Sequence, residues 1–176
     1  MQDITRRKDF ISITPELETY LDQVERYFSL PCTYADLLTF TERYPLMDKH
    51  DNPTYWASVI YPRELQQELY PKLTSIYSLL KTGNLQAVSH LYVERVDFCE
   101  FGNSRPFRIR VVNQYNDNYD HFYMKQSDSS RIYGLELEHL LSPNRINYLF
   151  HTGTLVEEHI AGVPGDVFIR DYLGRD

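Results

Sequence analysis

Asp120-His121-Phe122-Tyr123-Met124-Lys125-Gln126 opens the stretch on which the fold turns, and Ala161-Gly162-Val163-Pro164-Gly165-Asp166 closes it. The opening run alternates in a strand-like way over residues 121 to 126. Ser129 to Leu141 then reads as a helix. Ile146 to His151 and Thr154 to Ile160 read as two strands joined at Thr152-Gly153, a tight hairpin signal. The closing Gly/Pro segment is a sharp turn, and Asp166 can cap a short helix over Val167 to Leu173.

Upstream of this stretch the texture is also β-rich. Leu91 to Phe101 and Arg105 to Gln114 flank the turn Gly102-Asn103-Ser104, and the alternation shifts phase near Arg95. Phe107, Ile109 and Val111 share one face of their strand, and Arg108 and Arg110 the other. The expected architecture is α+β: a five-stranded antiparallel sheet with one inserted helix, preceded by a helical cap. Residues 1–9 read as a solvated tail, 10–83 as the helical cap, and 84–176 as the sheet subdomain.

Within the cap, Thr14 is a natural N-cap and Pro15 suits the first helical position. Leu17, Tyr20, Leu21, Val24 and Phe28 recur at helical spacing up to Pro31. A second helix is expected from Thr33 to Tyr44, stopped by Pro45. The third begins at Pro62 and carries the apolar stripe Leu65, Leu69, Leu73, Ile76, Tyr77 and Leu80. Pro71 predicts a kink or break near Tyr70, and Gly83 a C-terminal stop. Trp56, the only tryptophan, is expected as a core anchor.

Composition narrows the function. A chain of 176 residues with 42% hydrophobic and 24% charged residues can bury a real core. Its 15 Tyr and 9 Phe place many aromatic rings at core edges or interfaces. A net charge of −7 argues against nonspecific nucleic-acid binding, although Arg105, Arg108 and Arg110 form a local basic stripe. No apolar run approaches membrane-spanning length, and the N-terminus lacks a signal-peptide segment. Cys32 and Cys99 have no metal or redox spacing. Together these predict a cytoplasmic protein with two reduced thiols.

Lys125 is the leading candidate for chemistry. It shares a strand face with Tyr123 and His121, and a lysine there can grip nucleotide phosphates if a carboxylate holds its ammonium in place. Glu136 or Glu138 on the next helix could supply that carboxylate, and the periodicity of Ile132, Leu135 and His139 favours Glu136. Arg105, beside the hairpin turn, could contact a phosphate. The strand ending at Glu158 and Ile160 reads as a hinge whose backbone groups meet an adenine ring. His139, His151 and His159 have no metal-ligand spacing with a cysteine.

A strand ending in lysine, an acidic helix, two strands and a Gly/Pro turn: this order resembles the small lobe of protein-kinase-like proteins, especially the aminoglycoside-phosphotransferase-like branch. The resemblance covers about residues 91–173. It implies ATP as the bound nucleotide, with Lys125 as the phosphate-binding lysine and Glu136 or Glu138 as its helix partner. Residues 157–165 would be the fifth strand and hinge. In that family the catalytic and metal-binding aspartates follow in a large lobe. Asp166, Asp171 and Asp176 match no catalytic-loop pattern, and the glycine-rich loop is degenerate. The expectation is therefore a nucleotide-binding small lobe that is not catalytically complete by itself and works with a large lobe or a partner protein. The competing expectation is a noncatalytic interaction module of adaptor, effector or immunity type, using an aromatic-rich surface.

Overall fold

A computed structural model of the chain describes residues 9–85, 88–163 and 165–173. The reading of the first residues as a solvated tail, which rests on Arg6, Arg7 and Lys8, lies outside the described residues, as does the capping role assigned to the Asp166 side chain.

Among the described residues seven strands form one antiparallel sheet: β1 (Glu42–Met47), β2 (Pro53–Ile60), β3 (Leu91–Cys99), β4 (Phe107–Asn113), β5 (Tyr119–Gln126), β6 (Tyr148–His151) and β7 (Thr154–Glu158). Their order across the sheet is β1-β2-β3-β4-β5-β7-β6. Among the described residues five helices accompany it: α1 (Pro15–Gln23), α2 (Tyr34–Leu37), α3 (Arg63–Thr82), α4 (Ser129–Leu141) and α5 (Gly165–Asp171). The α+β class holds, but the sheet has seven strands rather than five.

The two extra strands come from the segment expected to form the helical cap. α2 lasts a single turn: the Thr33 amide and hydroxyl both bond the Asp36 carboxylate, at 2.7 and 2.8 Å. The chain then leaves the helix. Thr39 Oγ1 donates to the Asp36 carbonyl, and the Thr41 amide bonds Ile60 O at 2.9 Å, which leads into β1. Thr39, Phe40, Thr41 and Tyr44 prefer extended backbone, and this outweighs the helical spacing of Tyr34, Leu37 and Leu38. Pro45 is tolerated because β1 is an edge strand, where a missing donor need not break a ladder.

α3 is the longest helix, and it runs through Pro71 over 20 residues, so the expected break does not occur. The hydroxyls of Thr74 and Ser75 both donate to the Pro71 carbonyl. The apolar stripe holds the helix to the sheet: Leu69, Leu73, Ile76 and Leu80 pack with Phe98, Phe107, Ile109, Val111, Phe122 and Met124. Each such side chain contributes about 1.5–3 kcal/mol on full burial. Gly83 ends the helix at φ 69°, the left-handed conformation that glycine adopts without a Cβ penalty. β2 and β3 pair across this stop, so one sheet joins the two halves of the chain.

The opposite face is covered only in part. Leu17 and Leu21 of α1 and Ile132 and Leu135 of α4 bury Tyr148, Phe150 and Leu155. This second core sits over β6, β7 and the end of β5. Leu140 is 72% exposed, because Ile132, Leu135 and Glu136 define the buried side of α4. Arg26 to Phe28 borders the outer edge of β6: Phe150 N donates to Arg26 O at 2.8 Å, and Phe28 N to Phe150 O at 3.3 Å. Over β2, β3, β4 and the middle of β5, no residue of a described helix joins a buried apolar cluster on this face. Among the described residues, no helix is long and apolar enough to cross a membrane.

Candidate functional site

This second face is polar outside the part that α1 and α4 cover, and the strand register sorts its side chains into rows that run from the open part to beneath the helices. One row crosses the sheet through Ser58, Asp97, Arg108, Tyr123, Glu157 and Tyr148, each paired with the next. A second row, Arg95, Arg110 and His121, lies one step toward the other end of β4. A bulge between Val93 and Arg95, at the expected phase shift, keeps Val93 in the core while turning Arg95 to the polar side. Trp56 and Lys125 stand on the same face beyond Ser58 and Tyr123.

Lys125 is where the sequence places it, with only 17% of its side chain exposed. Its partner differs. The ammonium contacts Glu157 Oε2 on the neighbouring strand, whereas Glu136 and Glu138 were the expected partners. Arg131, in the first turn of α4, bonds the other Glu157 oxygen through Nε at 3.0 Å and Nη2 at 2.6 Å. One nearly buried carboxylate therefore holds two cations, each of which keeps some exposure.

Glu136 is engaged elsewhere. Arg26 Nη1 lies 2.8 Å from both of its oxygens, and Tyr20 Oη donates to Oε2 at 2.8 Å. The buried Tyr148 hydroxyl donates to Oε1. Burial, followed by this bond to a carboxylate, pushes the Tyr148 phenol far above its usual range. His139 completes the cluster: Arg26 Nη2 lies 2.9 Å from Nδ1, and Nε2 lies 2.7 Å from Ile146 O. Since arginine only donates and a carbonyl only accepts, the ring must carry its proton on Nε2. The cluster ties the end of α1 to α4 and β6.

The other expected contacts scatter. Glu138 is partly exposed on α4. Glu158 points to the α3 face, where it meets Lys81 at 3.5 Å and Asn147 N at 2.7 Å. Ile160 is 59% exposed beyond β7. Arg105 is exposed in the β3–β4 turn, and its carbonyl accepts from Tyr34 Oη at 2.9 Å.

Trp56 is not the expected core anchor. It is half-buried on the polar face, with the Arg108 guanidinium 4.5 Å from its ring centroid and the Tyr123 ring at 6.2 Å. Arg108 also bonds the fully buried Asp97, through Nη2 at 2.8 Å. Arg95 donates to Asp97 Oδ2 through Nη2 at 3.2 Å, while its Nε stands 2.7 Å from Oδ1 without a hydrogen bond. Arg110 faces Glu94 at 2.8 Å and lies over the Tyr119 ring. His121 and His159 stand edge to face at 5.6 Å, and Tyr123 Oη lies 2.9 Å from His159 Nδ1. Burial, then Arg108, His159 and Arg110, lower His121 to about 4, so its ring is neutral at pH 7.

Sequence reasoning missed Glu157, Arg131, Asp97 and the role of Trp56. Glu157 and Arg131 meet across 26 positions, a contact that only the β5–β7 register creates. An open groove of about 610 Å³ lies elsewhere, bordered by Glu25 to Phe28, the end of α3 and Asn147 to Leu149. The chain matches no known family model, no curated protein and no solved structure.

Proposed function

We propose that this chain is the nucleotide-binding small lobe of a kinase-like phosphotransferase, not catalytically complete by itself, with ATP as its nucleotide. The observation that carries the reading is the placement of Lys125: on the polar side of the sheet, at the margin of the part that α1 and α4 cover, partly buried, and fixed by a carboxylate that also holds Arg131. Strands β3 to β7, with α4 between the third and fourth of them, follow the order that suggested this family. Glu157 does for Lys125 what the helix glutamate was expected to do.

The donor set suits a polyphosphate. Lys125 offers a point charge and Arg131 a planar fork, and both can turn from Glu157 toward an incoming anion. The phosphoryl group belongs to ATP. The chain's part is to hold and orient it. Calorimetric titration of ATP into the protein tests the reading. Saturable binding that Lys125→Ala or Arg131→Ala weakens at least tenfold is the expected result. Absence of binding, or equal binding by Lys125→Ala, would overturn it.

A second reading, the interaction module, is favoured by exposed apolar residues. Tyr133, Leu137, Leu140 and Leu141 line the outer side of α4, and Ile160, Phe168 and Ile169 project near the end of the chain. A large lobe or partner protein would cover such surfaces. On this reading Leu140→Glu and Leu141→Glu abolish complex formation while Lys125→Ala leaves it unchanged.

A further inference from the structure

We propose that Trp56 is the stacking platform for the base of the nucleotide whose phosphates Lys125 holds. This rests on the nucleotide-binding reading above and specifies how the base is recognised.

Trp56 pairs with Cys99, the Cys99 amide bonds Pro106 O, and Phe107 pairs with Met124, which brings Pro106 level with Lys125. Trp56 and Lys125 therefore occupy one transverse line, three strand spacings or about 14 Å apart along the backbone. Cys99 and Pro106 between them are small, so the indole leans across the sheet to Arg108 and Tyr123, toward the lysine.

The ring is prepared for stacking. Arg108 lies against it at 4.5 Å, and Asp97 holds that guanidinium from behind. The indole is thus fixed, which lowers the entropy lost when a ligand is placed on it. No residue of a described helix joins a buried apolar cluster over this part of the face, and Trp56 keeps partial exposure on a sheet face where cations outnumber carboxylates. A tryptophan serving only the core would be expected among the apolar residues on the α3 side, where Ala57 and Val59, its neighbours on β2, are buried.

The chemistry also sets the selectivity. Stacking reads the π-face of a base, which all bases share. The polar groups nearest the ring are committed: Asp97 to Arg95 and Arg108, and Arg108 to Asp97 and the indole. The platform should therefore take ATP and GTP alike.

Because Trp56 is the only tryptophan, its fluorescence reports on this position alone. The experiment titrates the whole chain with ATP, GTP and inorganic tripolyphosphate, following tryptophan emission and, in parallel, heat of binding. Expected are saturable emission changes with ATP and GTP, and binding of tripolyphosphate without one. Trp56→Ala should weaken ATP about tenfold or more while leaving tripolyphosphate unchanged. Trp56→Phe, which keeps an aromatic face, should restore most of the affinity. ATP binding with unmoved emission, or ATP affinity unchanged in Trp56→Ala, overturns the platform and leaves the phosphate site standing. Failure of both ATP and tripolyphosphate to bind overturns the nucleotide reading and the platform with it.

Discussion

Arg26→Met should be among the most damaging single changes outside the apolar core. The substitution keeps most of the side-chain volume and removes the charge. Glu136 would then remain with 8% of its side chain exposed, holding two tyrosine hydroxyls but without its counter-ion. Removing one partner of a buried pair costs about 3–5 kcal/mol. Arg26 is 19% exposed, so some water already reaches the pair and the low end, about 3 kcal/mol, is expected. With a urea slope of about 2 kcal/mol/M, the unfolding midpoint moves down by about 1.5 M. Glu136→Leu should cost less, because the better-exposed Arg26 can turn to water. The double variant Arg26→Met/Glu136→Leu should be more stable than Arg26→Met alone. The assay is equilibrium urea unfolding followed by circular dichroism. A midpoint for Arg26→Met within about 0.25 M of wild type, or about 0.5 kcal/mol, would refute the claim that this pair locks α1 onto α4.

Truncating Leu73, a fully buried residue of α3 that packs on the sheet, to Ala should cost about 2–5 kcal/mol, read from the same urea unfolding curves. An unchanged midpoint would place the core elsewhere. His121 titrates near 4 in the folded chain and near its ordinary value when unfolded, so the unfolded state alone takes up its proton between those values. This group's part in stability is therefore steady above about pH 6.5 and declines as pH falls toward 4. Wild type should lose more stability over that window than His121→Asn, and parallel pH profiles would contradict it. Burial pushes the Cys32 thiol up to about 12, whereas Cys99 is partly exposed. A thiol reagent followed by mass spectrometry should modify Cys99 in the folded protein and Cys32 only after denaturation.

Local pattern made much of this fold legible. Thr14 caps α1, Gly83 stops α3, Ser129 to Leu141 is α4, and Thr152-Gly153 turns the last hairpin with φ 41° and 79°. What pattern could not supply was competition between distant segments. Thr33 to Tyr44 has helical spacing, but an available edge on β2 draws Glu42 to Met47 into the sheet. The site divides in the same way. The shared face of His121, Tyr123 and Lys125 follows from alternation. The choice of Glu157 over Glu136 follows from register and from Arg26, which claims Glu136 across 110 positions. Trp56 was misread because a single large aromatic inside a strand gives no sign of which face it occupies. Only its pairing with Cys99, one step from Asp97, puts it on the polar side.

The most direct test of the central claim is amide and side-chain chemical-shift mapping of the isotope-labelled chain during an ATP titration. Expected are saturable shifts concentrated on Lys125, Glu157, Arg131, Tyr123 and Trp56, with the groove beside Arg26 to Phe28 and the outer side of α4 unmoved. Shifts confined to Tyr133, Leu137, Leu140 and Leu141, or a spectrum that ATP leaves unchanged, would contradict it.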